Sequence, residues 1–145
     1  MLHVKRKKRQ RGFTLVEIMV VVVIIGLLAA TVGPRLIGQS DEAKVKTTRT
    51  QMAQFGNTLD LYHLNNGFYP TTDQGLEALV SKPSGSPEPK NYPKGGYMKK
   101  VPKDPWGNAY IYRNPGERAE YDLYSLGADG QEGGEGKNED LWASD

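Results

Sequence analysis

Glu17 is a carboxylate inside an apolar run. Across residues 13–33 it is the one ionisable side chain. An ionised acid in hydrocarbon costs roughly 2.5–3.5 kcal/mol on insertion scales, so it needs a partner or an escape to the interface. Immediately before the run, Gly12-Phe13 marks the junction with a basic segment: residues 1–12 hold six Lys/Arg and no acid. A second set of candidates lies near the other end. There LGADGQEGGEGKNEDLW spaces carboxylates among glycines, within a stretch, residues 117–145, that carries nine acids against Arg118 and Lys137. Composition alone reads this as a solvated acidic tail. Its spacing is not that of an EF-hand, because Gly130 and Gln131 follow Asp129. There are no cysteines, and His3 and His63 are the two histidines, which excludes a His/Cys zinc cluster. A Ser-His-Asp site would need His63, which falls on a long helical pattern. No catalytic constellation follows, and the chain is expected not to be an enzyme.

Periodicity supplies the elements that must position these residues. The apolar run is about 20 residues long, enough for a helix to cross a ~30 Å hydrocarbon layer. It is too long for a secretory signal-peptide core, and Ala29-Ala30-Thr31 is a poor cleavage site. A plain signal anchor explains the run but leaves Glu17 and Gly12-Phe13 without a reason. Gly33-Pro34 interrupts the pattern, and proline kinks a helix by removing a hydrogen bond. The pattern then resumes. Val45, Thr48, Met52, Phe55, Leu59 and Tyr62 recur at steps of three and four, one stripe of an amphipathic helix. Lys44, Lys46, Arg49, Gln54 and Asp60 occupy the other face. Asn65-Asn66-Gly67 offers a left-handed stop. The reading is one long, kinked helix over residues 13–64, its first half in a membrane and its second half packed on a sheet.

Beyond it, Thr71 and Gln74 fit a capping box. They predict a short helix over residues 73–80 that buries Leu76, Leu79 and Val80. Residues 81–96 are rich in Pro, Gly and Ser and read as a loop. Residues 109–113 and 121–125 read as strands joined by the turn Asn114-Pro115-Gly116. Trp106 is expected to pack the strands onto the helix stripe, and these aromatics are read as core rather than as a sugar platform.

The charge balance changes along the chain. The formal charge is +2 over 145 residues, and mean hydropathy is −0.60 despite the apolar run. Without residues 1–12 there remain 13 basic and 17 acidic residues, a net of −4. A nucleic-acid partner is therefore not expected. The basic segment reads as a positive-inside signal that keeps the N-terminus cytoplasmic and sends the rest across the membrane. Without disulfides, a small domain in that compartment must rely on packing or a metal.

RGFTLVEIMVVVVIIGLLAATVGP resembles the N-terminus of the type IV pilin-like family. YPTTDQGLEALV, DPWGNAYIY and YDLYSLGADGQEGGEG resemble in particular the major pseudopilins of type II secretion, the general secretion pathway protein G family. Together these stretches cover nearly the whole chain beyond Gly12. The resemblance implies an α+β, pilin-like fold: a long kinked N-terminal helix on a small antiparallel sheet, with a C-terminal loop. It implies a leader, residues 1–12, cut by a prepilin peptidase between Gly12 and Phe13, with methylation of the new Phe13 amine. Residues 13–34, ending at Pro34, would then form the transmembrane and filament-core segment, and residues 35–145 a periplasmic domain. Glu17 would pair with the Phe13 amine of a neighbouring subunit, since pairing favours the ionised form of a buried acid.

The resemblance also implies Ca²⁺ in the C-terminal loop. Hard Ca²⁺ takes six to eight oxygens, carbonyls included. The Leu126 carbonyl and the Asp129 carboxylate are its implied ligands, with Glu135, Asn138 and Asp140 as the oxygen-bearing distal candidates. Relatives place consecutive aspartates in that distal part, whereas here Gly136 and Lys137 intervene.

The implied function is a structural subunit of the periplasmic filament, the pseudopilus, that drives folded proteins through the outer membrane. The implied partners are further copies of the chain in a helical filament, minor pseudopilins, the peptidase/methyltransferase, the inner-membrane assembly platform and membrane lipid. The implied location is the bacterial inner membrane, single-pass. The alternative is a type IV pilin for adhesion, motility or DNA uptake. Many such pilins close their C-terminal loop with two cysteines, and this chain has none.

Overall fold

The computed structural model describes residues 12–145, except for the side chains of residues 32–39. Residues 1–11 of the expected leader lie outside the described residues, and Pro34, with the kink expected there, falls in the stretch 32–39 whose side chains are not described. The elements are α1 (Leu15–Asn66), a 3₁₀ turn (Leu76–Leu79), β1 (Ile111–Arg113), β2 (Asp122–Ser125), a second 3₁₀ turn (Gly136–Asn138) and β3 (Leu141–Trp142). The chain divides into two compact units, Met1–Gln39 and Ser40–Asp145.

In the first unit α1 begins at Leu15 rather than Phe13, because Thr14 caps it. Thirteen large apolar side chains between Phe13 and Leu28 are exposed, from 49% at Val21 to 82% at Phe13. Burying them is worth on the order of 20–40 kcal/mol, so water is not their working environment. Among the described residues no helix is long and apolar enough to cross a membrane; the side-chain description of this stretch stops at Thr31.

The second unit is built on the expected stripe. Met52, Phe55, Leu59 and Tyr62 are buried, and Val45 packs at the edge of the core. Thr48 is buried too, its hydroxyl donating to the Lys44 carbonyl at 2.9 Å, so its polarity costs little. Against the stripe lie Leu76, Ala78 and Leu79 on one side and Tyr110, Tyr112, Leu123 and Leu141 on the other. Trp106 is half-buried against this core, as expected. The helix ends at Asn66 with Gly67 at φ +83°, its N–H donating to the His63 carbonyl at 2.6 Å, a left-handed stop.

The sheet is antiparallel in the order β1-β2-β3, with Ile111 opposite Tyr124, Arg113 opposite Asp122, and Ser125 opposite Leu141. The strands are shorter than residues 109–113 and 121–125. β3 was not expected, since its two residues lie inside the acidic segment. The helix expected over residues 73–80 is a correction. The Thr71/Gln74 box forms, with reciprocal bonds of 3.1 and 3.2 Å, but Gly75 at φ +59° follows it. Only the 3₁₀ turn Leu76–Leu79 remains, and it buries Ala78 while Val80 stays half-exposed.

Candidate functional site

The helix N-terminus carries the first site. Gly12 and Phe13 are non-helical and exposed, so the bond between them lies outside α1. Thr14 and Glu17 then close a reciprocal cap. The Glu17 N–H donates to Thr14 Oγ1 at 3.2 Å, and the Thr14 N–H and hydroxyl donate to Glu17 Oε2 at 3.1 and 3.3 Å. Two N–H groups that have no partner in the helix are thereby satisfied, and a carboxylate sits at the positive end of the helix dipole. Part of the compensation that Glu17 needs is thus internal. The signal was in the sequence: Thr14-Leu15-Val16-Glu17 has the capping-box spacing.

The second site is the loop between β2 and β3. It is folded back on itself. The Ala128 N–H donates to the Lys137 carbonyl at 2.8 Å. Gly127 has φ +66°, and a Cβ there would lie 2.8 Å from the Glu139 carbonyl oxygen and 2.9 Å from that of Lys137. This close approach sets residues 126–129 beside residues 137–140. Of the implied ligands, Leu126 is half-buried just after β2, and Asp129 is exposed with Oδ1 accepting from the Gln131 N–H at 3.1 Å. Asn138 is half-buried at the end of the second 3₁₀ turn. Asp140 Oδ2 accepts from the Gly133 N–H at 3.0 Å, while its Oδ1 is buried and has no hydrogen-bond partner. Glu135 is exposed on the turn. The fold-back thus sets Leu126 and Asp129 on one limb and Asn138 and Asp140 on the limb facing it, with Glu135 at the start of the second 3₁₀ turn.

Among the described residues no group of three or more His, Cys, Asp or Glu could hold a metal. A cation here would draw most of its oxygens from carbonyls and water. Ca²⁺ accepts such a set, and the unpartnered Asp140 Oδ1 is an acceptor suited to a cation.

Sequence reasoning missed the residues that hold the base of this loop. Asp104 is buried. Its Oδ1 accepts from the Trp106 and Asn108 N–H groups at 3.1 and 2.8 Å, and its Oδ2 accepts from Ser125 Oγ at 2.7 Å. Asn108 Nδ2 in turn donates to the Gly127 carbonyl at 3.1 Å. An Asp-Pro pair followed by Trp-Gly is a turn signal, and this turn locks the loop to the sheet. β3 is held by Trp142, which stacks on Tyr124 at 4.1 Å and lies under the Arg118 guanidinium at 3.9 Å.

Asp122, buried in β2, organises the β1-β2 turn by accepting from the Glu117 and Arg118 N–H groups at 2.7 and 3.1 Å. Burial pushes its pKa up. The backbone donors and the Arg118 charge outweigh that and hold it below the usual carboxylate range. His63 stacks on Tyr69 at 4.5 Å, and the Tyr69 hydroxyl donates to Asp60 at 2.9 Å, so these groups are engaged in packing.

The family described as Type II secretion system (T2SS), protein G, matches residues 35–144. The Prokaryotic N-terminal methylation motif matches residues 7–33. Type II secretion system core protein G of Vibrio cholerae is 55% identical over 137 residues, 94% of this chain and 93% of that protein. The core protein G of Pseudomonas aeruginosa is 54% identical over 136 residues, 94% of this chain and 96% of that protein. Among solved structures, that of the major pseudopilin from the type 2 secretion system of enterohaemorrhagic Escherichia coli is similar at a TM-score of 0.66 and 43% identity. It covers 75% of this chain and 93% of that one.

Proposed function

This chain belongs to the type II secretion system protein G family, and from that premise we propose how it is processed, held and assembled. It is a structural subunit of the pseudopilus, a membrane-anchored periplasmic protein. In our reading a prepilin peptidase cuts between Gly12 and Phe13, and the Phe13 amine is methylated. The N-terminus faces the cytoplasm because the six basic residues before the cut stay on that side. The apolar residues exposed on α1 are covered first by lipid and then by the same helices of neighbouring copies. Minor pseudopilins, the peptidase/methyltransferase and an inner-membrane platform complete the assembly, and the filament drives folded proteins through the outer membrane. The reading gives the chain no catalytic step.

The observation that supports this most is the pairing, in one chain, of the methylation motif over residues 7–33 with the protein G match over residues 35–144. It favours the secretion filament over a type IV pilin for adhesion. Intact-mass measurement on protein purified from membranes tests the processing. The expected mass is that of residues 13–145 plus one methyl group. A chain cut after Ala30, or left uncut, overturns it.

We also propose that Ca²⁺ binds between the two limbs of the loop. The Leu126 carbonyl, Asp129 and Asp140 are the ligands this reading favours, Asn138 adds a further oxygen, and Glu135 stays free. The unpartnered Oδ1 of Asp140 supports it. When bound, the ion would tie the limbs together in a chain that has no disulfide to do so.

A further inference from the structure

β1 is an edge of the sheet, and half of its backbone is unused. The Leu123 carbonyl accepts from the Ala143 N–H at 2.9 Å, so the backbone groups of Leu123 face β3. Direction alternates along an antiparallel ladder, so Asp122 and Tyr124 face their register partners Arg113 and Ile111. The N–H and C=O of Tyr112 therefore point away from β2. Tyr110, two residues earlier and buried in the same core, directs its groups the same way. Among the described residues none of these four groups has a backbone partner. The sequence explains the open edge. Residues 101–103 and 109–112 leave a common turn, in which the Asp104 N–H donates to the Asn108 carbonyl and the Gly107 N–H to the Asp104 carbonyl, both at 2.9 Å. The next bonded pair of a hairpin would set Tyr110 against Pro102, which has no N–H to give. Both limbs instead line an open trough of about 420 Å³, together with Leu76 and Glu77 of the first 3₁₀ turn. Its walls are apolar at Leu76, Val101, Pro102 and Ile111. Beyond β1, Asn114 is tied to Thr72 by bonds of 2.9 and 3.1 Å, which bounds the free edge to a few residues. Lys103 on the rim, and Lys99 and Lys100 before it, are exposed and make no salt bridge among the described residues.

We propose that this edge takes a short extended segment of a different protein as a fourth strand, one with aliphatic side chains at alternate residues and acids flanking them. Each part of the description answers to a feature of the trough. Unpaired N–H and C=O groups two residues apart are what an added strand bonds. The apolar walls suit its aliphatic side chains, and the three lysines outweigh Glu77 and suit its acids. A second copy of this chain does not supply such a segment. Its stretches of that composition, residues 120–124 and 139–142, already belong to β2 and β3, and residues 1–12 are basic. The site lies within the Ser40–Asp145 unit and does not depend on the filament reading.

Amide exchange, followed residue by residue by NMR on the full chain in detergent micelles, tests this. The probe is the end-capped peptide Glu-Val-Thr-Val-Glu. At a hundredfold excess over its Kd, exchange at Tyr110 and Tyr112 should slow about a hundredfold, the linkage factor 1 + [L]/Kd. Ile111, already bonded to β2, should change far less. The same peptide N-methylated at its three central residues keeps its side chains but loses its strand donors, and it should bind at least about tenfold more weakly. Lys100→Glu with Lys103→Glu, both on exposed residues, should weaken the unmethylated peptide about tenfold, the size of two exposed pairs. Equal binding of the two peptides overturns the proposal. So does unchanged exchange at Tyr110 and Tyr112 up to the solubility limit of the unmethylated peptide. If exchange there slows without peptide as the protein itself is concentrated, a second copy covers the edge and the proposal falls.

Discussion

At the scale of single residues, Glu17 answers to two partners, and magnitudes separate them. Its cap with Thr14 is seen within the chain. A cap of this kind is worth about 1 kcal/mol, roughly a fivefold effect. Pairing with the Phe13 amine of a neighbour is the proposed second role, and breaking a buried ion pair costs about 3–5 kcal/mol, which is hundreds-fold or more. Glu17→Gln keeps an acceptor for the Thr14 N–H but no charge, while Thr14→Ala removes part of the cap and keeps the charge. All such variants should enter the membrane normally. Glu17→Gln should then nearly abolish filament yield, whereas Thr14→Ala should lower it several-fold and Thr14→Ser should restore it. Normal filaments from Glu17→Gln, counted after overexpression, would reduce Glu17 to a capping residue. Asp104 is the residue at this scale that was not found. As one acid in a turn it announces no partner, and its bond to Ser125 exists only once the 104–108 turn and β2 are packed together.

At the scale of elements, the chain was legible where a period runs long. The stripe from Val45 to Tyr62 repeats over five turns, and the structure buries it as the spacing requires. The short elements were not legible. β3 has two residues, and its stability comes from stacking on Tyr124 and from Arg118, contacts made across the sequence. The 73–80 helix failed for a local reason, since Gly75 at φ +59° stops what the Thr71/Gln74 box begins. The loop between β2 and β3 lies between these cases. Its acids were visible, but which of them face each other depends on the fold-back at Gly127. That geometry sharpens the calcium proposal. Ca²⁺ at a hundredfold excess over Kd should stabilise the Ser40–Asp145 unit by about 2.7 kcal/mol, near 10 °C in Tm for a unit of this size. Mg²⁺ should do much less, because it prefers rigid octahedral sites and keeps its waters. Asp129→Ala and Asp140→Ala should each remove most of the gain, and Glu135→Ala should leave it intact. Melting curves in EGTA, Ca²⁺ and Mg²⁺ decide this. Identical curves in EGTA and Ca²⁺ for the unmodified unit would end the metal reading.

At the scale of the whole molecule, the cysteine-free unit holds itself together with aromatic packing, and that choice has a pH signature. All eight tyrosines lie within the Ser40–Asp145 unit. Tyr62 packs edge-to-face against Phe68 and Tyr92 and tilts on Tyr97, while Tyr110 meets Phe55 at 5.2 Å and donates to Gln51. Burial is the main reason that the pKa values of Tyr62, Tyr69 and Tyr110 are pushed up to about 12, and it raises Tyr112 as well. A raised folded pKa means that the native state holds its phenol protons more tightly than the unfolded chain does. That stabilisation is complete below pH ~10, the unfolded tyrosine value, and is lost as pH rises towards 12. For a fully buried ring such as Tyr62, two units correspond to about 3 kcal/mol. The share of the half-exposed Tyr69 is smaller because solvent screens it. Several such rings act in the same direction, so the folded state loses ground steadily across that pH window. The unit should therefore unfold in one cooperative step between pH 10 and 12, with tyrosinate absorbance rising in the same step as the loss of helix signal. Tyr62→Phe keeps the ring packing and removes a buried hydroxyl that lacks a partner, so it should move the transition to higher pH. If the tyrosines instead titrate smoothly near pH 10 while the helix signal persists, the buried rings are not what holds the unit closed.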